Sequence, residues 1–288
     1  MDLETIKITG PYNFDGVLDR ISRDPLNVLN LEERSIKIPI MIEGTPIVAK
    51  VTAIGTTNEP AFTVSGIDGD HKEQALNRVT HLLQWDTPLT EVNNFFNNTD
   101  LKEIFEQHKG TPLILDFSPY RALLKAIVHQ QLNLSFAYTL TKRFVTTYGF
   151  EVDGVYFYPS PEKVASLQVE ELRELQFSNR KAEYMIGIAK AIVEGTLDLD
   201  SLHNKSDDDI MEELIKLKGV GPWTIQCLLM FGLGRPNLFP FADIGLQNAL
   251  KKLYNMDRKP TKEEMEEYIK DWEPYLSYAS LYLWRSIE

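Results

Sequence analysis

The sequence predicts a mainly α-helical protein that begins with an α+β domain. Before residue 92, several short segments alternate apolar and polar residues, which is typical of strands. After an asparagine-rich segment at residues 93–100, apolar residues recur at helical spacing, and helix-capping residues punctuate the chain. We therefore assign residues 1–92 to an N-terminal α+β domain and residues 93–288 to a helical region. A chain of 288 residues can bury a large core.

The N-terminal domain combines strand and helix patterns. Isoleucines alternate in SIKIPIMI (35–42), which predicts a half-buried strand, and Pro39 indicates an edge or a bulge. Two further strands and two helices follow from the same reasoning, at residues 46–55 and 61–67 and at residues 14–21 and 71–85. We expect a small antiparallel sheet with helices on one side.

Capping residues mark the helix starts of the second region. A serine followed by proline places a capping hydroxyl before the first helical position, and Ser/Thr with an acid three residues later fits a capping box. These signals stand at Ser118, Ser160, Ser206 and Thr261, and Gly195 ends a helix.

Several classes of site and location are disfavoured by composition. The single cysteine, Cys227, excludes an internal disulfide and a cysteine-ligated iron–sulfur cluster. The five histidines are scattered without zinc-ligand spacing, and SDDDI (206–210) is better explained as an acidic helix start than as a metal site. No signal-peptide pattern and no long apolar run occurs, so we expect a cytoplasmic protein without a membrane partner.

The net charge of −12 argues against a nucleic-acid partner, but the charge is unevenly distributed. Residues 118–150 carry Arg121, Lys125, Lys142 and Arg143 without any acid, and residues 214–242 are likewise free of acids. One interpretation is a basic face for DNA, and the other is a set of buried helices, where acids are rare.

The stretch LKGVGPWT (217–224) joins two predicted helices by a tight turn. It lacks the third glycine of a dinucleotide-binding loop and the Gly-Lys-Ser/Thr end of a phosphate-binding loop. The glycines allow a partner to approach the backbone, and the free N–H groups of the second helix favour an anion. An ordinary glycine-tightened helical hairpin is the alternative. Asp243, 22 residues after Gly221, opens a further helix, either as a simple cap or facing a cleft beside the turn.

The segment from Leu217 to Asp243 resembles the helix-hairpin-helix and Gly/Pro-Asp signature of a DNA glycosylase superfamily. More narrowly, the chain resembles the bacterial DNA-3-methyladenine glycosylase II family, whose segments are matched in order by ALLKAIVHQQLNLSFA, PSPEKVASL, NRKAEYMIGIAKAI and WEPYLSYASLYLW. The resemblance implies two helical subdomains flanking a cleft, with the hairpin at about residues 206–232. It also implies a base-excision repair enzyme that flips alkylated bases, such as 3-methyladenine and 7-methylguanine, out of double-stranded DNA.

The resemblance implies a role for each matching residue. Asp243 is expected to be the catalytic carboxylate, and Trp223, where lysine-dependent relatives carry their amine, implies hydrolysis without a Schiff base. The expected base pocket contains Trp223, Trp284, Tyr282, Phe14 and Cys227. The expected DNA contacts are Gly219, Gly221, Thr224, Lys218 and either Gln131 or Leu132 as the wedge. A sodium or potassium ion is expected on the backbone carbonyls of Ile215, Leu217 and Val220, and no other cofactor is expected.

Two alternatives stay open at this point. The chain could be a non-catalytic protein that binds DNA lesions, or a glycosylase for oxidised or deaminated bases. In every case the expected partner is damaged double-stranded DNA, and the expected state is a monomer.

Overall fold

The computed structural model describes residues 3–288. The first part contains β1 (Glu4–Lys7), α1 (Phe14–Ile21), β2 (Val28–Asn30), β3 (Ser35–Ile42), β4 (Thr45–Ala53), β5 (Ala61–Ser65), α2 (Lys72–Leu82), α3 (Leu89–Phe96) and α4 (Lys102–Gln107). The second part contains α5 (Pro119–His129), α6 (Leu134–Tyr148), β6 (Phe150–Val152), β7 (Val155–Phe157), α7 (Pro161–Ala165), α8 (Val169–Glu174), α9 (Asn179–Val193), α10 (Asp207–Leu214), α11 (Pro222–Phe231), α12 (Ile244–Leu253), α13 (Lys262–Tyr268) and α14 (Leu276–Arg285). The predicted class, mainly α with an N-terminal α+β part, is confirmed.

The five N-terminal strands form one antiparallel sheet in the order β1-β5-β4-β3-β2. Ile36, Ile38 and Ile40 of β3 are buried, as their alternation predicts. Strand β2 pairs only with residues 35–37 of β3, so Pro39 lies beyond its end. At Pro39, β3 is paired with β4 alone, which agrees with the predicted edge position.

Buried apolar side chains form two cores. The sheet-side core joins the sheet and α1–α4 to α12–α14, with members at residues 12–115 and 230–283. The hairpin-side core is built from α5–α11 and also contains Leu26. A cleft of about 320 Å³ lies between the two. Two subdomains therefore flank a cleft, as expected. The C-terminal helices α12–α14 pack in the same core as the sheet.

The predicted domain boundary between residues 92 and 93 falls inside α3 and not between two elements. Val92 and Asn93 are both buried there, and the Asn93 amide donates to the Leu89 carbonyl at 2.6 Å. The sheet also shares its core with α12 and α14, so residues 3–92 have no separate core. Residues 1 and 2 of the predicted domain lie outside the described residues.

A short hairpin, β6–β7, interrupts the region that we predicted to be helical. Its turn is Asp153-Gly154, and both residues have positive φ, 51° and 79°. Asp-Gly between strand-forming residues is a known hairpin signal, which the helical spacing around it obscured. The predicted caps are observed: Ser118, Ser160, Ser206 and Thr261 each accept an amide hydrogen from the third helical residue. No helix within residues 3–288 is long and apolar enough to cross a membrane.

Candidate active site

The glycine turn connects α10 to α11, and its two glycines serve different purposes. Gly219 has φ +88°, and a Cβ there would lie 2.2 Å from the Tyr184 ring of α9, so only glycine fits. Gly221 caps α11 with extended backbone, and an added Cβ would meet nothing within 4 Å. The first residue therefore packs the turn against α9, and the second leaves open space in front of the α11 N-terminus.

The N-terminus of α11 is held to the end of α5 by Gln130. Its side-chain amide donates to the Gly219 carbonyl at 2.9 Å and to the Thr224 hydroxyl at 2.7 Å. Thr224 is buried, so the group it offers to the predicted phosphate contact is its backbone N–H and not its hydroxyl. Sequence reasoning missed Gln130, because a polar residue at a helix end does not reveal which turn it contacts.

Lys181 of α9 completes this junction. Its ammonium donates to the carbonyls of Ile127 and Gln130, at 2.7 and 2.8 Å, where α5 ends. Burial lowers the pKa of Lys181 to about 8. By contrast, Lys218 in the turn is exposed and pairs with Glu183 at 2.8 Å, so it is available to a partner at the surface.

Asp243 is both the N-cap of α12 and a lining residue of the cleft. Its Oδ1 accepts from the Leu246 N–H and from the Trp284 indole N–H, each at 2.9 Å. Its Oδ2 accepts from the Trp223 indole N–H at 3.2 Å. The two readings of Asp243 that the sequence left open, a cap and a cleft residue, are therefore both correct.

Gly245 makes room for the contact between Asp243 and Trp284. A Cβ at Gly245 would lie 3.0 Å from Asp243 Oδ1 and 3.1 Å from the Trp284 ring. Nothing in the sequence singles out Gly245, because its role depends on the approach of α14 to the start of α12.

Aromatic side chains surround the carboxylate at one end of the cleft. Trp223, Trp284 and Phe231 line it together with Cys227, and the Phe231 and Trp284 rings are 5.9 Å apart. Burial, followed by the charges of Asp243 and Asp116, raises the pKa of the Cys227 thiol, so the thiol stays neutral. A flat aromatic site next to an oriented carboxylate fits a base that stacks while its sugar faces the acid.

Comparison with known proteins gives the family. A family model described as "HhH-GPD superfamily base excision DNA repair protein" matches residues 124–274, just over half of the chain. The chain belongs to this superfamily.

The relatives agree with this assignment. YfjP of Bacillus subtilis, provisionally named a DNA-3-methyladenine glycosylase, is 54% identical over 286 residues, 99% of each chain. A DNA-3-methyladenine glycosylase of the same organism is 34% identical over 262 residues, 83% of this chain and 86% of its own. The structure of a 3-methyladenine DNA-glycosylase from Archaeoglobus fulgidus has the same fold, with a TM-score of 0.86, 24% identity and coverage of 98% and 97%. The predicted family is confirmed.

Two residues predicted for the pocket lie in the sheet-side core instead. Tyr282 is fully buried, stacks on Phe105 at 3.8 Å and accepts the Thr111 N–H at its hydroxyl. It stands two residues before Trp284, about 200° around the helix, so the two side chains cannot share a face. Phe14 is buried against Phe62, with ring centroids 5.3 Å apart. Neither lines the cleft.

An ion-pair cluster forms another part of the cleft wall. This wall cluster consists of Asp24, Asp116, Arg121 and Lys125, with contacts of 3.2–3.7 Å between opposite charges. Burial opposes the ionisation of Asp24, but Lys125 and Arg121 outweigh it and lower the pKa of Asp24. Arg121 and Lys125 therefore belong to buried pairs and not to a basic DNA-binding face. The other two basic residues of the acid-free segment 118–150, Lys142 and Arg143, stand on the outer part of α6.

The turn between α5 and α6 presents Gln131 and not Leu132. Gln131 is exposed in the left-handed region at φ 55°, whereas Leu132 packs against the hairpin-side core. His129 is packed edge-on against Tyr138, and burial lowers its pKa to about 4. Leu134, at the start of α6, is 48% exposed and lines the cleft.

The predicted cation ligands lie at the glycine turn. The Leu217 carbonyl accepts the Val220 N–H at 3.1 Å, which leaves one of its lone pairs free. Within residues 3–288, no backbone hydrogen bond in the turn goes to the carbonyls of Ile215 or Val220. Carbonyl oxygens suit a hard monovalent cation, so the three groups fit one by chemical type. Over the same residues, no cluster of His, Cys, Asp or Glu could hold a metal ion.

Proposed function

We propose that this chain is a monofunctional DNA glycosylase that hydrolyses the N-glycosidic bond of alkylated bases in double-stranded DNA. The observation that carries the proposal is the Asp243 carboxylate, fixed by two tryptophan N–H groups at the end of an aromatic cleft. Bacillus subtilis relatives named as DNA-3-methyladenine glycosylases support the alkylated-base substrate.

Asp243 supplies the charge that the reaction needs. Cleavage of the glycosidic bond builds positive charge on the sugar, which a preorganised carboxylate stabilises at no reorganisation cost. The Trp223 and Trp284 N–H groups and the Leu246 amide hold both oxygens in place, so the carboxylate does not rotate away. It also orients the attacking water. An N-alkylated purine is already cationic, so it departs without a general acid.

The cleft holds the base and the hairpin holds the strand. A flipped, electron-poor base stacks on Trp223 and Trp284, which contribute about 0.5–2 kcal/mol each through cation–π contact. The N–H groups at the start of α11, in front of open Gly221, bind a backbone phosphate without reading sequence. Exposed Lys218 adds charge beside them. A sodium or potassium ion on the carbonyls of Ile215, Leu217 and Val220 would add positive charge to this phosphate site.

Gln131 is our candidate for the wedge that fills the emptied base stack. It is exposed at the tip of the α5–α6 turn, while Leu132 is occupied by core packing. Exposed Leu134 stands beside it at the cleft mouth. A cytoplasmic location and a monomeric state complete the proposal.

Base release tests the proposal directly. Duplexes that each carry one lesion, 3-methyladenine, 7-methylguanine, hypoxanthine, 1,N6-ethenoadenine or 8-oxoguanine, are incubated with the protein, and released bases are separated by chromatography. We expect release of the alkylated bases. Asp243→Asn should lower that release by about 10²–10³-fold or more, because it removes the charge that faces the sugar.

The matched control separates chemistry from binding. Asp243→Asn should bind a duplex with an abasic-site analogue about as tightly as the original protein. Binding without release of any base by the original protein would favour a non-catalytic lesion-binding protein. Preferential release of 8-oxoguanine would favour an enzyme for oxidised bases.

A further inference from the structure

The wall cluster contains a carboxylate that its own cations do not fully engage. Asp24 uses both oxygens: Oδ1 accepts the Leu26 N–H at 3.1 Å, and Oδ2 faces Arg121 and Lys125. In Asp116, by contrast, Lys125 and Arg121 both approach Oδ1, at 3.2 and 3.5 Å. Within the described chain, Asp116 Oδ2 accepts no hydrogen bond. Asp116 and Lys125 both line the cleft.

Helix α11 locates this pair relative to Asp243. Trp223, whose indole donates to Asp243, stands at the start of α11, and Asp243, Asp116 and Lys125 line the same cleft. The Asp116 N–H also donates to the Phe231 carbonyl at 2.7 Å, which fixes the loop to the helix that carries Cys227 and Trp223. A base whose sugar faces Asp243 and that lies along α11 has its far edge on the side of Asp116 and Lys125.

The same region of the cleft has a second unpartnered polar group. His129 lines the cleft, and its Nε2 is buried without a hydrogen-bond partner in the part of the chain that the structure describes. Buried polar atoms are nearly always satisfied, so an ordered water or a polar group of a ligand would fit at this nitrogen.

We propose that Asp116 and Lys125 read the far edge of the flipped base and select guanine-type purines. This inference rests on the proposed glycosylase function. Lys125 offers a donor, and the two Asp116 oxygens offer acceptors. The matching edge of 7-alkylguanine offers the O6 acceptor and then the N1–H and N2–H₂ donors, so all three positions pair.

The adenine edge fits this wall less well. In the same glycosidic conformation as 7-alkylguanine, it offers only the N6 amine and the N1 acceptor, in the reverse order. A ring cation also makes N1–H of 7-alkylguanine a stronger donor, and hydrogen bonds between charged groups are the strong ones. Aromatic stacking alone would not distinguish the two purines, because every base has a π face.

The test compares two substrates within one preparation. We would measure kcat/KM for 7-methylguanine and for 3-methyladenine in the original protein, in Asp116→Asn and in Lys125→Met. The ratio of the two values does not depend on the folded fraction, so partial misfolding of a variant cannot imitate the effect. We expect the 7-methylguanine to 3-methyladenine ratio to fall about 10- to 100-fold in Asp116→Asn. For hypoxanthine, which lacks the 2-amino group, Asp116→Asn should lower kcat/KM less than it does for 7-methylguanine. If Asp116→Asn does not fold at all, Lys125→Met provides the same comparison through the lost donor to O6.

Asp24→Asn is the matched control, because it perturbs the same ion pairs without removing the free oxygen. It should leave the ratio within about threefold of the original value, a difference of about 0.6 kcal/mol. An unchanged ratio in Asp116→Asn and Lys125→Met, or an equal fall in Asp24→Asn, would overturn the inference while leaving the glycosylase function intact. If the original protein releases neither base, the proposed function fails, and this inference fails with it.

Discussion

Asp243 shows how one side chain joins a structural role to a chemical one. Its Oδ1 caps α12 through the Leu246 N–H, and the remaining acceptor positions are directed by two indoles. Replacement of this aspartate would therefore affect the helix start as well as the chemistry. An amide keeps an oxygen for the cap, so Asp243→Asn is the variant that separates the two roles.

The amines near the cleft decide whether a covalent intermediate can form. Trp223 stands where lysine-dependent relatives of the superfamily are expected to carry their nucleophile. Lys125 lines the cleft, but Asp116 and Asp24 outweigh burial and raise its pKa, so it stays protonated. A protonated amine is not a nucleophile. We expect borohydride to trap no protein–DNA complex on a duplex with 7-methylguanine, as judged by denaturing electrophoresis. A trapped complex that disappears in Lys125→Met would show that this amine reacts.

The buried His129 should make the stability of the protein depend on pH. Burial, with Lys125, lowers its pKa in the folded state to about 4, below the ordinary value near 6.5. Between these values the unfolded chain binds the extra proton, so stability is retained above pH 6.5 and is lost as the pH falls toward 4. Above pH 6.5, the neutral His129 contributes about 3 kcal/mol to the unfolding free energy.

Urea unfolding at several pH values measures this effect. In His129→Gln, the unfolding free energy should fall less steeply between pH 6.5 and 4 than it does in the original protein. His71→Gln, a change at an outlying histidine, serves as the control and should keep the original slope. Equal slopes in all three proteins would show that His129 titrates normally.

At the scale of elements, the glycine turn is a junction of three helices. From α9, Tyr184 packs on Gly219, and Lys181 donates to the Gln130 carbonyl at the end of α5. The Gln130 side chain in turn donates to Gly219 and to Thr224 of α11. These contacts fix where the α11 N-terminus points. An anion site made of backbone N–H groups works only if its direction is fixed, since the groups cannot rotate independently.

The two glycines of the turn should respond differently to alanine. Gly219→Ala forces φ +88° on a residue with a Cβ and drives that Cβ into the Tyr184 ring, so it should cost about 1–3 kcal/mol of unfolding free energy. Gly221→Ala meets no atom, so it should cost less than about 1 kcal/mol, in line with the loss of a good cap. The methyl group added by Gly221→Ala should instead weaken the binding of the protein to an undamaged duplex.

Urea unfolding and fluorescence anisotropy with a labelled duplex measure the two effects. Equal stability losses in both variants would contradict the assignment of Gly219 to packing and Gly221 to the DNA surface.

At the scale of the whole molecule, an acidic protein is proposed to bind an acidic polymer. The net charge of −12 does not prevent this, because charges more than about 8–10 Å apart are largely screened at moderate salt. Arg121 and Lys125 are tied up in buried pairs, so only Lys142 and Arg143 of the acid-free segment at residues 118–150 remain for DNA. We therefore expect a small contact, with the hairpin N–H groups at its centre.

A small contact predicts a weak salt dependence. With three or four phosphates bound, the logarithm of the association constant should fall against the logarithm of salt concentration with a slope of about −3. Anisotropy titrations between 50 and 200 mM salt would measure it. Lys218→Gln should make the slope less steep by about one unit, and a slope near −8 would indicate a much larger basic surface than the structure presents.

The sequence by itself determined the class of the fold, the sheet and most helix starts, because alternation, helical spacing and capping hydroxyls act over a few residues. It also determined the position of the glycine turn between two helices and of Asp243 at the start of a third helix. Both belong to one contiguous segment with a specific pattern. The Asp-Gly signal of the β6–β7 hairpin was equally local, and only the surrounding helical pattern obscured it.

Tertiary structure alone decided which side chains share the cleft. Tyr282 and Phe14 are core residues, Thr224 is buried and accepts a hydrogen bond from Gln130, and α3 runs through the domain boundary predicted after residue 92. Asp116 and Lys125 entered the site only because α5 and the loop before it fold against α11. The physical reason is that local patterns specify a residue's own element and face, whereas a cleft is made by elements that are distant in the chain.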